Sequence, residues 1–266
     1  MPARLAKLRP MIAMKTSRFF PAFVGLVILS ALALAARDAQ PARPDSKLRV
    51  LLVTGGHGFE REPLLDLFKS FDDVTFQHVE HATNAHAFLQ NGAPKDYDVL
   101  MLYDMWQNID EAAKPDFVML VTGGKGVVVL HHAIADYNEW DAYAGLLGAR
   151  YYLRTKTING VEKARSQWKH DVTFTVKIAD PPHPVTRGLK DFDIRDETYK
   201  GFDVANDVKP LLTTDEPLSN SVIGWAKENG KSRWVYLQLG HDHFAYENPN
   251  YRKLVHQAIR WTAHAK

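Results

Sequence analysis

Five histidines fall where the chain turns from apolar to polar. His131 and His132 stand side by side after "GVVVL", His241 and His243 flank Asp242 after "WVYLQLG", and His57 sits in "TGGHG" after "LRVLLV". A neutral imidazole offers one nitrogen lone pair near physiological pH, so it serves as a general base or as a metal ligand. In an extended chain His241 and His243 lie on one side, which suits chelation. Adjacent His131 and His132 point apart unless the strand has ended, so only one of them enters a site if the strand runs through both. A lone loop histidine is more often a surface or internally satisfied group, and His78, His81, His86, His256 and His264 are read that way. Clustered imidazoles are harder to dismiss, because burying several without partners is unfavourable.

Other groups of the right chemistry lie nearby. "RDETY" (195 to 199) brings Asp196 and Glu197 as acid or base and Tyr199 as a hydroxyl, against the plainer reading of a polar turn before a strand. "YDMWQN" supplies Asp104 and Trp106, and "HHAIADYNEW" supplies Tyr137. The tryptophans are more often core than ligand platform, with Trp106 and Trp140 the two that could stack on a ligand. "HPVTRGL" (183 to 189) shapes a turn, with His183 and Arg187 able to touch a hydroxylated or anionic ligand. "TGGHG" lacks both the G-x-G-x-x-G spacing and the Lys-Ser/Thr of a phosphate loop, so its glycines are read as serving a tight turn.

The elements that must position these groups alternate. Strands are expected over 48–54, 74–80, 97–103 and 126–132, with helices over 61–71 and 84–90, the second capped by Asn84. This alternation implies an α/β fold, a mainly parallel sheet flanked by helices, of the flavodoxin-like or Rossmann type. The second half reads as strands around 171–178, 192–199 and 222–240, with a turn at Glu228–Lys231, and a closing amphipathic helix that starts near Pro249. These are antiparallel additions to the sheet. Ligands of open α/β sheets bind outside the carboxyl ends of the strands, which is where the histidines collect. His57, His132 and His241 are therefore expected in one pocket, with Glu197 at its wall.

Composition sets the bounds. The chain has 266 residues, 45% of them hydrophobic, and a formal charge of +2, which suits one or two globular domains and excludes a strongly basic nucleic-acid binder. Lys15 and Arg18 precede the apolar run "FFPAFVGLVILSALALAA" (19 to 36), which ends in Ala33-Leu34-Ala35 as a secretory signal does. Residues 1–36 are read as a signal peptide, with Met14 a more typical initiator than Met1, and 37–46 as a disordered linker. The domain begins at 47 and runs to 266. The alternative is a retained anchor, since about 18 apolar residues is near the lower limit for a membrane span. Cleavage implies an exported, periplasmic or extracellular protein with no stable membrane association. Cysteine is absent, which removes disulfides, thiolate nucleophiles and thiolate metal ligands together.

The stretches "LLVTGGHGFE", "VVLHHAIADYNEWDAYAGLLGARY", "HPVTRGLKDFDIRDETY" and "YLQLGHDHFAYENPNYRKLVHQAIRW", in this order, closely resemble the ThuA-like (trehalose-utilisation) domain, over essentially everything from residue 48 onward. The resemblance implies a fold like that of class I glutamine amidotransferases and a role in carbohydrate metabolism. Amidotransferases of that fold use a cysteine on a sharp turn after a central strand. The corresponding strand end here is "VVLHHA", so thiolate chemistry is excluded.

Two mechanisms fit the remaining groups. In one, an imidazole removes the proton beside a sugar carbonyl while a neighbouring His or Arg steadies the enolate. In the other, imidazoles with Glu197 hold a divalent metal such as zinc, the ligands being His57, His132 and His241. The catalytic set is expected to be His131, His132, Glu197 and His241. Substrate contacts are expected from His57, Asp104, Trp106, Tyr137, Tyr199 and His243. The partner is a small carbohydrate: trehalose, another disaccharide or an oxidised keto-sugar. Two further classes remain open, a sugar-binding module without catalysis and a metal-dependent hydrolase of an amide or ester. Imidazoles at strand ends are expected to contribute little to the core, so truncating His132 or His241 should cost within about 1 kcal/mol. The mature chain is expected to begin at residue 36 or 37, which amino-terminal sequencing of protein from the native host will check; an intact apolar segment in the membrane fraction would show an anchor instead.

Overall fold

The computed structural model of the chain describes residues 47–81 and 96–265. The expected signal peptide, the linker and the helix over 84–90 lie outside the described residues. The first half alternates as its hydrophobic pattern demands: β1 (Leu48–Gly55), α1 (Arg61–Lys69), β2 (Val74–Glu80), β3 (Val99–Asp104), α2 (Lys114–Thr122), β4 (Gly126–Leu130) and α3 (Asp141–Leu147). Short strands follow, β5 (Ala149–Arg150), β6 (Lys156–Ile158) and β7 (Val161–Lys163). Then come the long β8 (Gln167–Ile178), β9 (Phe192–Lys200), β10 (Asp203–Val204), β11 (Lys209–Thr213), β12 (Val222–Asn229) and β13 (Ser232–Leu237). Two helices, α4 (His243–Glu247) and α5 (Pro249–Thr262), close the chain.

Nine strands form one sheet in the order β2-β1-β3-β4-β13-β12-β11-β8-β9. The pairs from β2 through β13 are parallel, and those from β13 to β9 antiparallel. Every residue of β3 and β4 is buried, as both faces of a parallel sheet require. Alternate residues divide between two cores. Val50, Leu52, Met101, Val128 and Leu237 pack with Leu64, Phe68, Leu254 and Ile259 from α1 and α5. Leu51, Val53, Leu100, Val127 and Tyr236 pack on the other face with Phe117 and Val121 of α2 and Tyr143 of α3. Each such aliphatic side chain contributes about 1.5–3 kcal/mol by leaving water. Among the described residues no helix is long and apolar enough to cross a membrane.

Helix and turn signals act where the residue types demand. Pro249 opens α5, and the Asn248 side chain accepts the N–H groups of Asn250 and Tyr251. The β12–β13 hairpin turns on Gly230 and Lys231, one residue later than the centre of the expected Glu228–Lys231 turn, because Asn229 still pairs with Ser232. β8 starts at Gln167, earlier than expected, and β4 stops at Leu130, two residues early.

The C-terminal strands reach the site by leaving the plane of the sheet. β8 pairs with β11 only through Ile178 with Leu212 and Lys177 with Thr213, whereas it pairs with β9 along most of its length. The β8–β9 ribbon thereby reaches the end of β13, where Asp196 accepts the N–H groups of Gly240 at 2.7 Å and His241 at 3.0 Å. Gly240 adopts φ +117°, and a Cβ there would lie 2.2 Å from the Tyr251 hydroxyl oxygen. Gly240→Ala is therefore expected to lower the unfolding free energy by about 1–3 kcal/mol, read as a reduced urea midpoint at unchanged slope.

Candidate functional site

The parallel strands place the site at their carboxyl ends. In the order β2-β1-β3 the chain departs from β1 in opposite directions, so the crevice lies between the ends of β1 and β3. Gly56 there has φ +74°, and a Cβ would meet the Met105 carbonyl oxygen at 2.5 Å, so only glycine lets the two loops approach this closely. The loop carries His57 past β3 to the end of β4, where its ring stacks on that of His132 at 4.5 Å and 30°.

β4 ends at Leu130, and His131 begins a short 3₁₀ turn with φ +52°. A non-glycine residue in the left-handed region costs about 1–3 kcal/mol and persists only where its surroundings hold it. Three contacts hold His131. Its carbonyl accepts from the Tyr236 hydroxyl at 3.2 Å, its Nδ1 donates to the Gln238 carbonyl at 2.7 Å, and its Nε2 accepts from the Tyr199 hydroxyl at 2.9 Å. The Gln238 carbonyl can only accept, so the neutral ring carries its lone pair on Nε2. Burial, followed by the neighbouring His132 ring, pushes His131 well below the ordinary histidine range. Both adjacent histidines reach the site because the strand has ended before them. His131 is directed toward β9 and His132 toward His57.

Around Nε2 of His131 gather His241 Nδ1 at 3.2 Å and Glu197 Oε1 at 3.6 Å. His241 Nδ1 lies 3.9 Å from Glu197 Oε2. Among the described residues, His131, Glu197 and His241 form the group whose ligand atoms converge, all within 4.8 Å of one another. Of the expected metal set of His57, His132 and His241, only His241 belongs to this group. The turn at His131 brings that ring, not His132, to His241, while His57 and His132 occupy each other by stacking. His241 is held from behind: Tyr103 donates to the Gly240 carbonyl at 2.7 Å and Tyr246 to the His241 carbonyl at 3.1 Å.

His170 is a member that the sequence reading missed. Lys169 pairs with Thr198 and Val172 with Asp196, so His170 and Asp171 together oppose Glu197 in a β-bulge, and Asp171 takes φ +59°. The bulge sets His170 Nδ1 2.5 Å from Glu197 Oε2. Trp168 pairs with Tyr199 and Val172 with Asp196, so the bulge puts Trp168 and His170 on the face opposite Val172, Phe174 and Val176, and plain alternation along the strand gives no signal for His170. Trp168, half exposed, lies against His170 at 4.5 Å between ring centres.

His57, His132, His170, Glu197 and Tyr199 line a cavity of about 170 Å³ with Trp168 and Arg165, and His131 and His241 adjoin it through Glu197 and Tyr199 rather than lining it. Four of the expected substrate contacts lie elsewhere. Asp104 is buried against His81, with Nδ1 2.8 Å from its Oδ2. Asp136 is hydrogen-bonded to Asp104, and burial together with that neighbouring charge pushes its carboxyl far above the ordinary range. Trp106 lies over His81, and its N–H donates to Asp136. Tyr137 packs among Phe117, Trp140 and Tyr143. His243 sits against Glu60, at 3.0 Å, ahead of α1. His132 is only 5% exposed and meets Tyr103 edge-on at 4.5 Å, and burial lowers its pKa to about 3.

Burial also revises the expected cost of truncation. His132→Ala is expected to cost about 3 kcal/mol, since the ring is packed on both sides. His131→Ala removes the ring's hydrogen bonds to the Gln238 carbonyl and the Tyr199 hydroxyl in the interior and should cost about 2–3 kcal/mol. His241→Ala, at a side chain one quarter exposed, should stay within about 1 kcal/mol. Urea unfolding of the three variants will check the order, and equal effects would show that burial does not set it.

Comparison with known proteins places this geometry. The chain superposes on a ThuA-like protein of Parabacteroides merdae with a TM-score of 0.68 at 17% identity, over 82% of this chain and 90% of that one. A ThuA-like protein of Bacteroides uniformis gives 0.62 at 21% identity, over 86% and 94%. A glutamine amidotransferase of Thermotoga maritima gives 0.51 at 13% identity, over 83% and 100%. These likenesses show the fold, a mixed sheet with a parallel core of the amidotransferase type. No protein of curated function matches the sequence. The family model for ThuA, trehalose utilisation, matches residues 49–262, and the chain belongs to that family.

Proposed function

We propose that the chain is an exported enzyme of carbohydrate metabolism whose substrate is trehalose, another disaccharide or its oxidised keto form, bound in the cavity beyond the ends of β1 and β4 and walled by β8 and β9. Membership of the trehalose-utilisation family supports the substrate class. The observation that carries the chemistry is that His170, Glu197 and Tyr199 line one cavity, while His131 and His241 contact that glutamate and tyrosine from outside its wall. The apolar amino-terminal segment supports export.

The wall divides into a binding part and a reacting part. Trp168 offers an exposed ring face on which a pyranose can stack, and the His57–His132 pair forms a second aromatic surface. A carboxylate accepting the Nδ1–H of His170 leaves a lone pair on Nε2 of that ring, the arrangement of a general base oriented by its partner. In a keto-sugar, His170 takes the proton from the carbon beside the carbonyl, and the C–H electron pair moves onto the carbonyl oxygen as an enolate. The fixed positive charge of Arg165, in the same wall, steadies that oxygen. Collapse of the enolate then returns a proton or expels a group from the β-carbon.

Deuterium exchange at the carbon beside the carbonyl, followed by NMR with oxidised and unmodified disaccharides, tests the proposal. The wild-type chain is expected to exchange or convert an oxidised sugar, and His170→Ala to slow this by about 10²–10⁴-fold. Trp168→Ala is expected to raise KM with kcat nearly unchanged. Saturable sugar binding with neither exchange nor conversion would instead identify a binding module.

A further inference from the structure

We propose that His131 Nε2, His241 Nδ1 and the Glu197 carboxylate together hold one transition-metal dication, with a coordination position left for a cavity ligand. The three donors come from three separate parts of the chain, the turn after β4, the loop after β13, and β9. They nonetheless converge: His131 Nε2 lies 3.2 Å from His241 Nδ1 and 3.6 Å from Glu197 Oε1, His241 Nδ1 lies 3.9 Å from the other carboxylate oxygen, and one ligand atom from each residue falls within 4.8 Å of the others. Tetrahedral coordination with bonds of about 2.0–2.2 Å has ligand-to-ligand edges of about 3.3–3.6 Å, so a shift of about 1 Å in the Glu197 carboxylate would let one ion reach all three.

The surroundings of each donor fit a ligand better than a hydrogen-bonding group. Nδ1 of His131 is committed to a backbone carbonyl at 2.7 Å, which fixes the tautomer with its lone pair on Nε2. This is the outer-shell device that commonly orients a metal-bound histidine. That single lone pair faces two neighbours at once, the Tyr199 hydroxyl at 2.9 Å and His241 Nδ1 at 3.2 Å. An ion between the two rings would take that lone pair in place of the Tyr199 hydroxyl, which keeps its hydrogen bond to Glu197. His170 holds Oε2 of Glu197 at 2.5 Å, leaving Oε1, 3.6 Å from His131 Nε2, directed at the ion. Two imidazoles and one carboxylate are a nitrogen-rich set, which favours zinc, cobalt, nickel or iron over magnesium and calcium. The set carries one negative charge, so a bound dication leaves a net positive centre able to polarise a carbonyl or hydroxyl oxygen. Glu197 belongs to both the donor set and the cavity wall, which places the remaining coordination position toward the cavity. The proposal stands on the side-chain geometry and does not depend on which sugar, or whether any sugar, is converted.

The test is titration of the full-length, chelator-treated protein with Co²⁺ and then Zn²⁺, in the absence of sugar. One equivalent of Co²⁺ is expected to give the intense visible bands of a four- or five-coordinate ion, bleached by one equivalent of Zn²⁺. His241→Ala and the near-isosteric Glu197→Gln should abolish saturable binding, and His170→Ala should weaken it by about 10–100-fold. His243→Ala, whose ring pairs with Glu60, should bind as the wild type does. A wild-type chain that takes up no stoichiometric ion would overturn the proposal. So would equal loss of binding in His243→Ala and His241→Ala, and so would unchanged binding in Glu197→Gln. An ion bound without any sugar conversion would uphold the metal site and sink the enzymatic reading, while conversion by a metal-free chain would do the reverse.

Discussion

The carboxylate of Asp196 ties the site together. Buried to 2% exposure, it accepts the backbone N–H groups of Glu197, Gly240 and His241 at 2.8, 2.7 and 3.0 Å. Burial pushes its pKa up to about 7, against three donors that favour the charged form. Those bonds join a strand at the far edge of the sheet to the loop leaving a central one. Without them Glu197 and Tyr199 would have no reason to stand beside His131 and His241. An aspartate one residue before the functional glutamate thus acts as a clamp, because backbone N–H groups in a tight loop need an acceptor that the sheet cannot supply.

A second constraint operates at the end of β4. The strained conformation of His131 is maintained by three hydrogen bonds and by a wall of buried aromatic rings, Tyr103 and Tyr199 among them. The turn thereby presents an imidazole whose Nδ1 is engaged by the Gln238 carbonyl and whose Nε2 faces Tyr199 and His241.

The layer behind the cavity explains why several polar residues there are not contacts. Asp136, its carboxyl pushed far above the ordinary range by burial and by its hydrogen-bonded neighbour Asp104, lies in the interior, and Asp104 in turn meets buried His81. The Trp106 N–H on Asp136, and the Tyr143 hydroxyl on the Ala133 carbonyl, fasten the two loops that follow β3 and β4. A buried network of this sort is satisfied only in one arrangement, so it supports the geometry of the wall without lining it.

Much of this protein could be read along the chain. Runs such as "LRVLLV" and "GVVVL" alternate with helical periodicity at a spacing that only a parallel sheet accommodates, and the histidines follow those runs, so both the architecture and the edge that carries the site are local properties of the sequence. Tertiary structure decided which histidines meet. The strand stops at Leu130, a fact set by how the turn packs beneath Tyr199 and Tyr236, and that two-residue difference exchanges His132 for His131 beside His241. His170 reaches Glu197 only through a bulge in β8 opposite that residue, and the ribbon carrying both reaches β13 only because its pairing with β11 is short. Side-chain periodicity records which face of an element is buried. It carries no record of where an element bends, because bending is settled by contacts between residues far apart in the chain.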